Sequence, residues 1–214
     1  MIELHYWPTS NGQKIAIFLE ESGISHELHP VNISKKEQFR PEFLKISPNN
    51  RIPAILDRSP VNGGPPAGVF ESGAILFYLA DRTGLFLSRD PLVRIRAMEW
   101  VFWQIGGLGP ASGQANVYTG ETAAKNPDAA ERCFNELKRL YKVLDGQLGR
   151  GAFLAGADYS IADMACYPAI ANHERHKVDM ADYPNVKRWF EAIKARPAVR
   201  RAYEKGDAIR KAAG

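Results

Sequence analysis

Residues 2–6 alternate between apolar and polar side chains, and this period of two predicts a short strand. Apolar residues at helical spacing follow and run to Gly23, a typical stop signal, which predicts a helix. Residues 27–32 then have the pattern of an extended segment. Because Pro30 has no N–H to donate to a neighbouring strand, this third element is expected at the edge of a sheet.

A hairpin and a second helix are predicted next. The apolar runs 54–57 and 67–70 flank the turn-rich residues 62–66, which favours two antiparallel strands. Residues 72–82 carry apolar side chains three and four positions apart, and Gly84 follows as a stop signal. The predicted order up to this point is βαβ followed by ββα.

Beyond about residue 90 the pattern predicts only helices. Their start signals are the pairs Asp90-Pro91 and Pro127-Asp128, the capping box Ser160-Ile161-Ala162-Asp163, and Pro184, which begins the last long helix before Pro197 ends it. The predicted fold class is therefore α/β plus all-α, with one domain over residues 1–83 and a C-terminal helical domain over residues 90–214.

The composition is that of a globular protein and excludes several classes. The 214 residues are 45% hydrophobic with a mean hydropathy of -0.31, and no apolar run approaches the roughly 20 residues of a membrane span. The N-terminus lacks the basic region and apolar core of a secretory signal, which indicates a cytoplasmic protein. The only cysteines, Cys133 and Cys166, form no CxxC pair, which excludes a disulfide framework, structural zinc and dithiol redox chemistry.

The net charge of +4 comes mainly from the C-terminal segment. From Asn185 onward the chain has nine basic and three acidic residues, a local excess of +6. This segment contains no recognised nucleic-acid-binding motif and has few aromatic residues. We therefore expect a solvated basic helix and no nucleic-acid partner.

The first candidate for chemistry is the loop from Pro8 to Gly12, between the first strand and the first helix. The positive end of a helix dipole and free backbone N–H groups there favour an anion such as a thiolate. A hydroxyl of Thr9 or Ser10, or the amide of Asn11, can donate a hydrogen bond to a bound sulfur and lower its pKa. The alternative is that Asn11 serves only as the N-cap of the helix.

Two further segments offer peptide-binding chemistry. If the Ile52-Pro53 bond is cis, the backbone of Ile52 is open to pair with a peptide-like ligand; a trans bond beginning a strand is the commoner alternative. Ser72 at a helix N-terminus can bind a carboxylate, and Glu71 beside it can accept an ammonium group. The alternative for this pair is a serine N-cap that follows the last residue of a strand.

These three segments occur together and in this order, and that combination resembles the cytosolic glutathione transferase superfamily. Members join an N-terminal thioredoxin-like domain to a C-terminal helical domain, and the resemblance covers nearly the whole chain. Five phrases look like the nu-class, or bacterial disulfide-bond oxidoreductase, branch of this superfamily: Thr9-x-Asn11-Gly12-x-Lys14-Ile15, Gln38-Phe39-Arg40-Pro41-Glu42-Phe43-Leu44-x-Ile46-Ser47-Pro48-Asn49-Asn50, Ile52-Pro53-Ala54-Ile55, Phe70-Glu71-Ser72-Gly73-Ala74-Ile75 and Trp103-Gln104-x-Gly106-Gly107-Leu108-Gly109-Pro110.

The resemblance implies a set of glutathione contacts. Asn11 is expected to make the main contact to the sulfur with Thr9 beside it, although Ser10 replaces a proline that many members carry, which leaves the contacting group open. The other implied contacts are Glu71 and Ser72 with the γ-glutamyl head, Ile52 and Pro53 with the cysteinyl backbone, Gln38 and Arg51 with the glycyl end, and Arg132 with the glutathione of the dimer partner, unless Arg132 is simply a solvated helical residue.

Tyr6 is a rival for the catalytic role. Tyrosine-type members of the superfamily place a catalytic tyrosine at the end of the first strand, which Tyr6-Trp7-Pro8 resembles. The period of two instead directs Tyr6 to the core face together with Ile2 and Leu4. Neither cysteine is expected to be a nucleophile, because both fall within predicted helices of the second domain.

The histidines and the aromatic residues of the second domain give weaker indications of a functional site. The five histidines show no spacing typical of a metal site with an accompanying carboxylate, although His173 and His176 stand three apart, and no metal is expected. Trp100, Phe102 and Trp103 suit either a hydrophobic substrate pocket or the core.

The resemblance implies an enzyme in which bound glutathione, reduced or oxidised, supplies the reacting thiol. In the nu-like hypothesis the glutathione thiolate attacks a small disulfide or an organic hydroperoxide, and a second glutathione resolves the product. Conjugation to a hydrophobic electrophile is the alternative reaction, and a non-catalytic regulatory or interaction protein is the alternative class. A homodimer without a membrane partner is also implied.

Overall fold

The computed structural model describes residues 1–213, which form two compact units. The first unit contains Met1–Leu87 together with the segment from Ala195 onward, and the second contains Ser88–Lys194. The predicted domain bounds, 1–83 and 90–214, differ from this division at the C-terminus, because the last helix packs against the first unit.

The first unit is built on a four-stranded mixed sheet with the order β2-β1-β3-β4. Strand β1 is parallel to β2 and antiparallel to β3, and β4 is antiparallel to β3. The predicted βαβ and ββα order is confirmed, and β2 lies at the edge as expected. The elements are β1 (Ile2–Tyr6), α1 (Ser10–Ser22), β2 (His26–Pro30), α2 (Pro41–Leu44), β3 (Ala54–Asp57), β4 (Ala67–Phe70) and α3 (Ser72–Thr83).

The alternation along β1 sets which of its side chains enter the core. Ile2, Leu4 and Tyr6 are fully buried, and successive strand residues point to opposite faces of the sheet. Helix α1 contributes Ile15 and Phe18, which are also fully buried. Burying one such side chain stabilises the fold by about 1.5–3 kcal/mol.

The structure contains a last helix that the sequence pattern did not predict. Helix α9 (Pro184–Lys194) ends before Pro197, as predicted, but Pro197 also begins α10 (Pro197–Ala212) as its first residue. Proline suits the first helical position because the N–H it lacks would have no partner within the helix. The stop signal for one helix is therefore the start signal for the next.

Part of the basic C-terminal segment is paired within the first unit. On α10, Arg201 and Lys205 form ion pairs with Glu20 of α1 at 2.9 and 2.5 Å. Just before α10, Arg196 pairs with Glu21 at 2.5 Å. The expected solvated basic helix is thus anchored to α1 along one side.

The second unit is helical, as predicted. A π-helical turn at Gln104–Leu108 joins its first two helices. The capping box is confirmed: fully buried Asp163 accepts hydrogen bonds from the N–H of Ser160 at 3.0 Å and from Trp189 Nε1 at 2.8 Å. The helices are α4 (Pro91–Trp103), α5 (Gly109–Val117), α6 (Gly120–Lys125), α7 (Pro127–Leu148), α8 (Ile161–Ile170) and α9.

Within residues 1–213, no helix combines the length and the apolar character that crossing a membrane requires.

Two glycines in helix interiors are expected to respond oppositely to alanine. A Cβ at Gly206 of α10 would lie 2.5 Å from Gln13 Nε2 and 2.9 Å from Pro8 Cβ, whereas one at exposed Gly146 of α7 meets no atom within 4 Å. Gly206→Ala should lower the free energy of unfolding by about 1–3 kcal/mol through overpacking. Gly146→Ala should raise it by about 0.5–1 kcal/mol, because alanine restricts the unfolded chain.

Urea unfolding of both variants and the parent, at one protein concentration, measures these changes. The close packing of α10 on α1 would be contradicted if Gly206→Ala were as stable as Gly146→Ala.

Candidate functional site

Strand register brings the three candidate segments to one edge of the sheet. His5 of β1 lies opposite Ala54 of β3, and Ala54 lies opposite Phe70 of β4. The end of β1, the beginning of β3 and the end of β4 therefore share that edge, which also receives the end of β2 because Tyr6 is in register with Pro30. We call residues 9–11, 51–53 and 71–72 the sheet-edge site.

At the β1 end of this edge, Thr9 rather than Asn11 caps helix α1. The Oγ of Thr9 accepts a hydrogen bond from the backbone N–H of Gly12 at 3.5 Å, and the helix begins at Ser10. The alternative hypothesis that Asn11 is the N-cap is wrong. Asn11 lies in the first helical turn with an exposed side chain, beside N–H groups that have no acceptor within a helix.

The loop before α1 allows a close approach that only glycine permits. A Cβ at Gly12 would lie 2.2 Å from the carbonyl oxygen of Trp7. The glycine therefore lets the helix start directly against the end of β1. This contact places the positive end of the helix dipole at the sheet edge.

The middle of the site is the loop before β3. The Ile52-Pro53 bond is cis, which is the rarer of the two alternatives that the sequence left open. Ile52 is half-buried and packs against a small apolar cluster that includes Val31 and Phe43. Arg51 is exposed, and its carbonyl oxygen accepts a hydrogen bond from Ser47 Oγ at 2.7 Å.

Gln38 lies in a 3₁₀ turn at Glu37–Phe39, in the connection that leaves β2. Its Oε1 atom is buried and has no hydrogen-bond partner among residues 1–213. The turn is ordered by buried Asn32, whose backbone N–H donates to Glu37 Oε2 at 2.7 Å. Gln38 Oε1 is therefore a hydrogen-bond acceptor available to a ligand, on a turn that Asn32 and Glu37 hold in place.

Glu71 and Ser72 occupy the junction between β4 and α3. Glu71 is the N-cap residue and has a positive φ of 69° with ψ of 117°, a region that non-glycine residues seldom adopt and that clusters at functional sites. Ser72 is the first helical residue, so the alternative that Ser72 is the cap is wrong. The Ser72 side chain is buried, whereas Glu71 is exposed.

Lys14 is a site residue that the sequence analysis missed. It is 1% exposed, and its Nζ donates a hydrogen bond to Ser72 Oγ at 3.2 Å. Helical spacing could have predicted the buried position of Lys14, because Lys14 precedes buried Phe18 by four residues and thus lies on the core face of α1. Lysine is seldom fully buried, which makes such a position easy to overlook.

Tyr6 does not have the environment of a thiol-activating group. The residue is fully buried, and its hydroxyl has no hydrogen-bond partner among residues 1–213. Burial raises the pKa of Tyr6 to about 12, which agrees with a side chain enclosed in the core. The core assignment from the period of two agrees with this position.

The remaining candidates lie in the second unit. Arg132 is exposed on α7, and its assignment to glutathione stays a prediction. Trp100 and Trp103 pack edge to face with ring centroids 5.0 Å apart. Cys133 and Cys166 lie within α7 and α8, as predicted, and no disulfide joins them.

Comparisons with known proteins agree with this geometry. The family model for the glutathione S-transferase N-terminal domain matches residues 1–81, and the model for the C-terminal domain matches residues 102–197. The disulfide-bond oxidoreductase YfcG of Escherichia coli is 50% identical over 202 residues, 94% of each chain.

Solved structures give the same result. A glutathione transferase family member from Pseudomonas fluorescens, with two glutathione bound, is 41% identical with a TM-score of 0.88, over 94% of this chain and 91% of that one. A glutathione transferase from Pseudomonas putida, with one glutathione disulfide bound per subunit, is 39% identical with a TM-score of 0.88, over 94% of this chain and 90% of that one. The two domain matches, the thioredoxin-like first unit and the helical second unit together establish that this chain belongs to the glutathione S-transferase family.

Proposed function

We propose that this protein is a glutathione-dependent enzyme that reduces small disulfides with a glutathione thiolate held at the sheet-edge site. One observation carries this proposal. The first unit, which holds the site, contains no cysteine, because the chain's only two lie at positions 133 and 166 of the second unit. A thiol reacting at the sheet edge is therefore supplied by the bound ligand.

The relatives support both the ligand and the reaction. The half-identical E. coli relative is named a disulfide-bond oxidoreductase, and the P. putida structure contains glutathione disulfide. Glutathione disulfide is the expected product when glutathione reduces another disulfide.

The start of α1 is suited to lower the pKa of the bound thiol. The positive end of the helix dipole favours the thiolate over the thiol. The Asn11 amide, which the cap does not use, and the Thr9 hydroxyl each have a hydrogen to donate to the sulfur. We assign the main contact to Asn11 and a supporting contact to Thr9.

Reduction then takes two exchange steps. In the first, the bound thiolate attacks one sulfur of the substrate disulfide, forming a mixed disulfide and releasing the other sulfur as a thiolate that takes up a proton. A second glutathione thiolate attacks the glutathione sulfur of the mixed disulfide, which forms glutathione disulfide and releases the second product thiol. Two glutathione molecules are oxidised and one disulfide is reduced.

The rest of the sheet-edge site suits the peptide part of glutathione. Glu71 can accept the γ-glutamyl ammonium group, and the start of α3 with Ser72 can bind the carboxylate. Lys14 orients the Ser72 hydroxyl by donating a hydrogen bond to it. We further assign the cysteinyl backbone to Ile52 and Pro53, and the glycyl end to Gln38 and Arg51.

We also propose a cytoplasmic homodimer, in which Arg132 serves the site of the partner. Helix α4 supports the dimer because it exposes Leu92, Ile95 and Phe102, with Phe102 62% exposed. Leu92 and Ile95 lie one turn apart and Phe102 two turns further along, and exposed apolar side chains of this kind suit a surface that a second subunit covers. No disulfide joins Cys133 to Cys166, which agrees with a reducing compartment.

Reduction of 2-hydroxyethyl disulfide by glutathione, coupled to glutathione reductase, tests the function directly. The purified protein should accelerate this reaction, and conjugation of glutathione to an aromatic halide should be slow in comparison. An organic hydroperoxide serves as a second acceptor for the same thiolate. Fast conjugation without disulfide reduction would overturn the assigned reaction, and inactivity with all acceptors would leave only a binding role.

Substitutions at the two ends of the site should separate turnover from binding. Asn11→Ala should lower kcat about ten- to a hundredfold, the equivalent of one hydrogen bond to a charged group, with little change in glutathione affinity. Ser72→Ala should mainly weaken glutathione binding, by about tenfold. Steady-state kinetics and calorimetric titration with glutathione measure both quantities. Equal and small effects from both variants would contradict the site.

Tyr6→Phe should leave kcat within about twofold of the parent, since the buried phenol has a pKa of about 12 and makes no hydrogen bond to a described residue. The pH at which the rate falls on the acid side should also stay the same, whereas Asn11→Ala should move it to higher pH by raising the pKa of the bound thiol. A loss of activity in Tyr6→Phe comparable to that in Asn11→Ala would assign the activating role to the tyrosine.

A further inference from the structure

A short repeat links the first two strands of the sheet. The tripeptide Glu-Leu-His occurs at residues 3–5 in β1 and again at residues 27–29 in β2. The two strands are parallel, and their register places Glu3 beside Glu27 and His5 beside His29. Because side chains at alternate positions share a face, all four lie on the face opposite Leu4.

The side chains of this Glu-His cluster approach one another closely. The carboxylates of Glu3 and Glu27 and a ring nitrogen of His29 offer ligand atoms that all lie within 4.8 Å of one another. His5 Nε2 is 3.5 Å from Glu3 Oε2, and the rings of His5 and His29 stack with centroids 4.8 Å apart. His29 Nε2 is likewise 3.5 Å from Glu27 Oε2.

The two Nε2 atoms of the cluster face carboxylates and not water. Both are inaccessible to solvent, and each lies 3.5 Å from a carboxylate oxygen of its own strand, which is long for a hydrogen bond. Two buried imidazole nitrogens that face two carboxylates are ligand types that a transition-metal ion prefers.

We propose that Glu3, His5, Glu27 and His29 form a binding site for a divalent transition-metal ion of the Zn²⁺ or Cu²⁺ type. Two imidazoles and two carboxylates suit these ions and give four ligands, the usual number for zinc. Ligand atoms around a tetrahedral zinc are about 3.3 Å apart, given bonds of about 2.0–2.1 Å. Within each strand the histidine and glutamate are already 3.5 Å apart, and an ion would have to draw the two strands' ligands together from the 4.8 Å within which Glu3, Glu27 and His29 lie.

Arg58 binds one of the carboxylates of this cluster. Its Nε donates to Glu3 Oε1 at 2.6 Å, which leaves Glu3 Oε2 on the side of His5. A hydrogen bond of this kind orients a carboxylate ligand. Its positive charge opposes a second cation, and the two carboxylates of Glu3 and Glu27 offset that repulsion.

Histidine spacing along the sequence gives no sign of this cluster, because its two halves are far apart along the chain. His5 and His29 reach neighbouring positions only through the parallel register of β1 and β2. An ion bound there ties the edge strand β2 to the centre of the sheet. The site thus adds a binding function on the sheet face, in addition to the glutathione chemistry at its edge.

Calorimetric titration with Zn²⁺ near neutral pH tests the site, using protein without a polyhistidine tag. The parent should bind one equivalent of Zn²⁺, and its unfolding temperature should rise with Zn²⁺ because the ion binds the folded state. Mg²⁺ should neither bind nor compete, because imidazole ligands do not suit it. Co²⁺ should give the visible absorption of a four-coordinate site and be displaced by Zn²⁺.

Three variants locate the bound ion. His29→Gln and Glu27→Gln should each bind Zn²⁺ at least about tenfold more weakly, since even the loss of an outer partner costs about 10–100-fold in metal affinity. His26→Gln is the matched control, because His26 is on the same strand but faces a single carboxylate, Glu20, at 3.4 Å. It should bind Zn²⁺ as the parent does.

The proposal is overturned if the parent binds no Zn²⁺, if all variants bind it equally, or if only His26→Gln loses it. Circular dichroism checks the folding of each variant. If His29→Gln fails to fold, Glu27→Gln decides, because the Glu27 side chain is 57% exposed and its loss should not affect folding.

Discussion

Strand β1 lies between β2 and β3, and its register with these two neighbours is the constraint on which the rest of the first unit depends. Parallel pairing with β2 aligns Tyr6 with Pro30, and antiparallel pairing with β3 aligns His5 with Ala54. A slip of one residue would turn Ile2 and the other core residues toward the opposite face. The buried side chains therefore fix the sheet edge where the site residues meet.

Helix α1 is positioned by that register, so that its positive N-terminal end lies at the sheet edge. Its first turn lies against the end of β1 because Gly12 has no side chain to hold it away from Trp7. Its far end is held by α10 through the ion pairs that Glu20 and Glu21 make with basic residues. The carboxylates of these pairs are only 8% exposed, and Arg196 binds Glu21 through two hydrogen bonds, at 2.5 and 2.9 Å. The close contact of Gly206 with Gln13 and Pro8 adds tight packing to these ion pairs.

Sequence patterns predicted the elements well because each strand and most helices carry local signals. The capping box at Ser160–Asp163 and the stops at Gly23 and Gly84 are examples, and all three are seen in the structure. Helix α10 was missed because Pro197 served as both a stop and a start.

Interactions between distant residues left no such signal. The contact of Lys14 with Ser72 spans 58 positions. The neighbouring placement of His5 and His29 depends on strand register rather than on sequence spacing. The cap at Thr9 and the neighbouring role of Asn11 were likewise hard to separate, since both residue types favour the start of a helix.

Structure resolves that last ambiguity through the different bonds of the two side chains. A threonine hydroxyl has one hydrogen to donate and two lone pairs that accept. At Thr9 the cap uses a lone pair, for the N–H of Gly12, and leaves the hydrogen for a ligand. Because the cap is long at 3.5 Å, the hydroxyl can turn toward a thiolate without losing a strong bond. In the function that we propose, Thr9 and Asn11 act on the sulfur together, with Asn11 making the contact that the helix itself does not need.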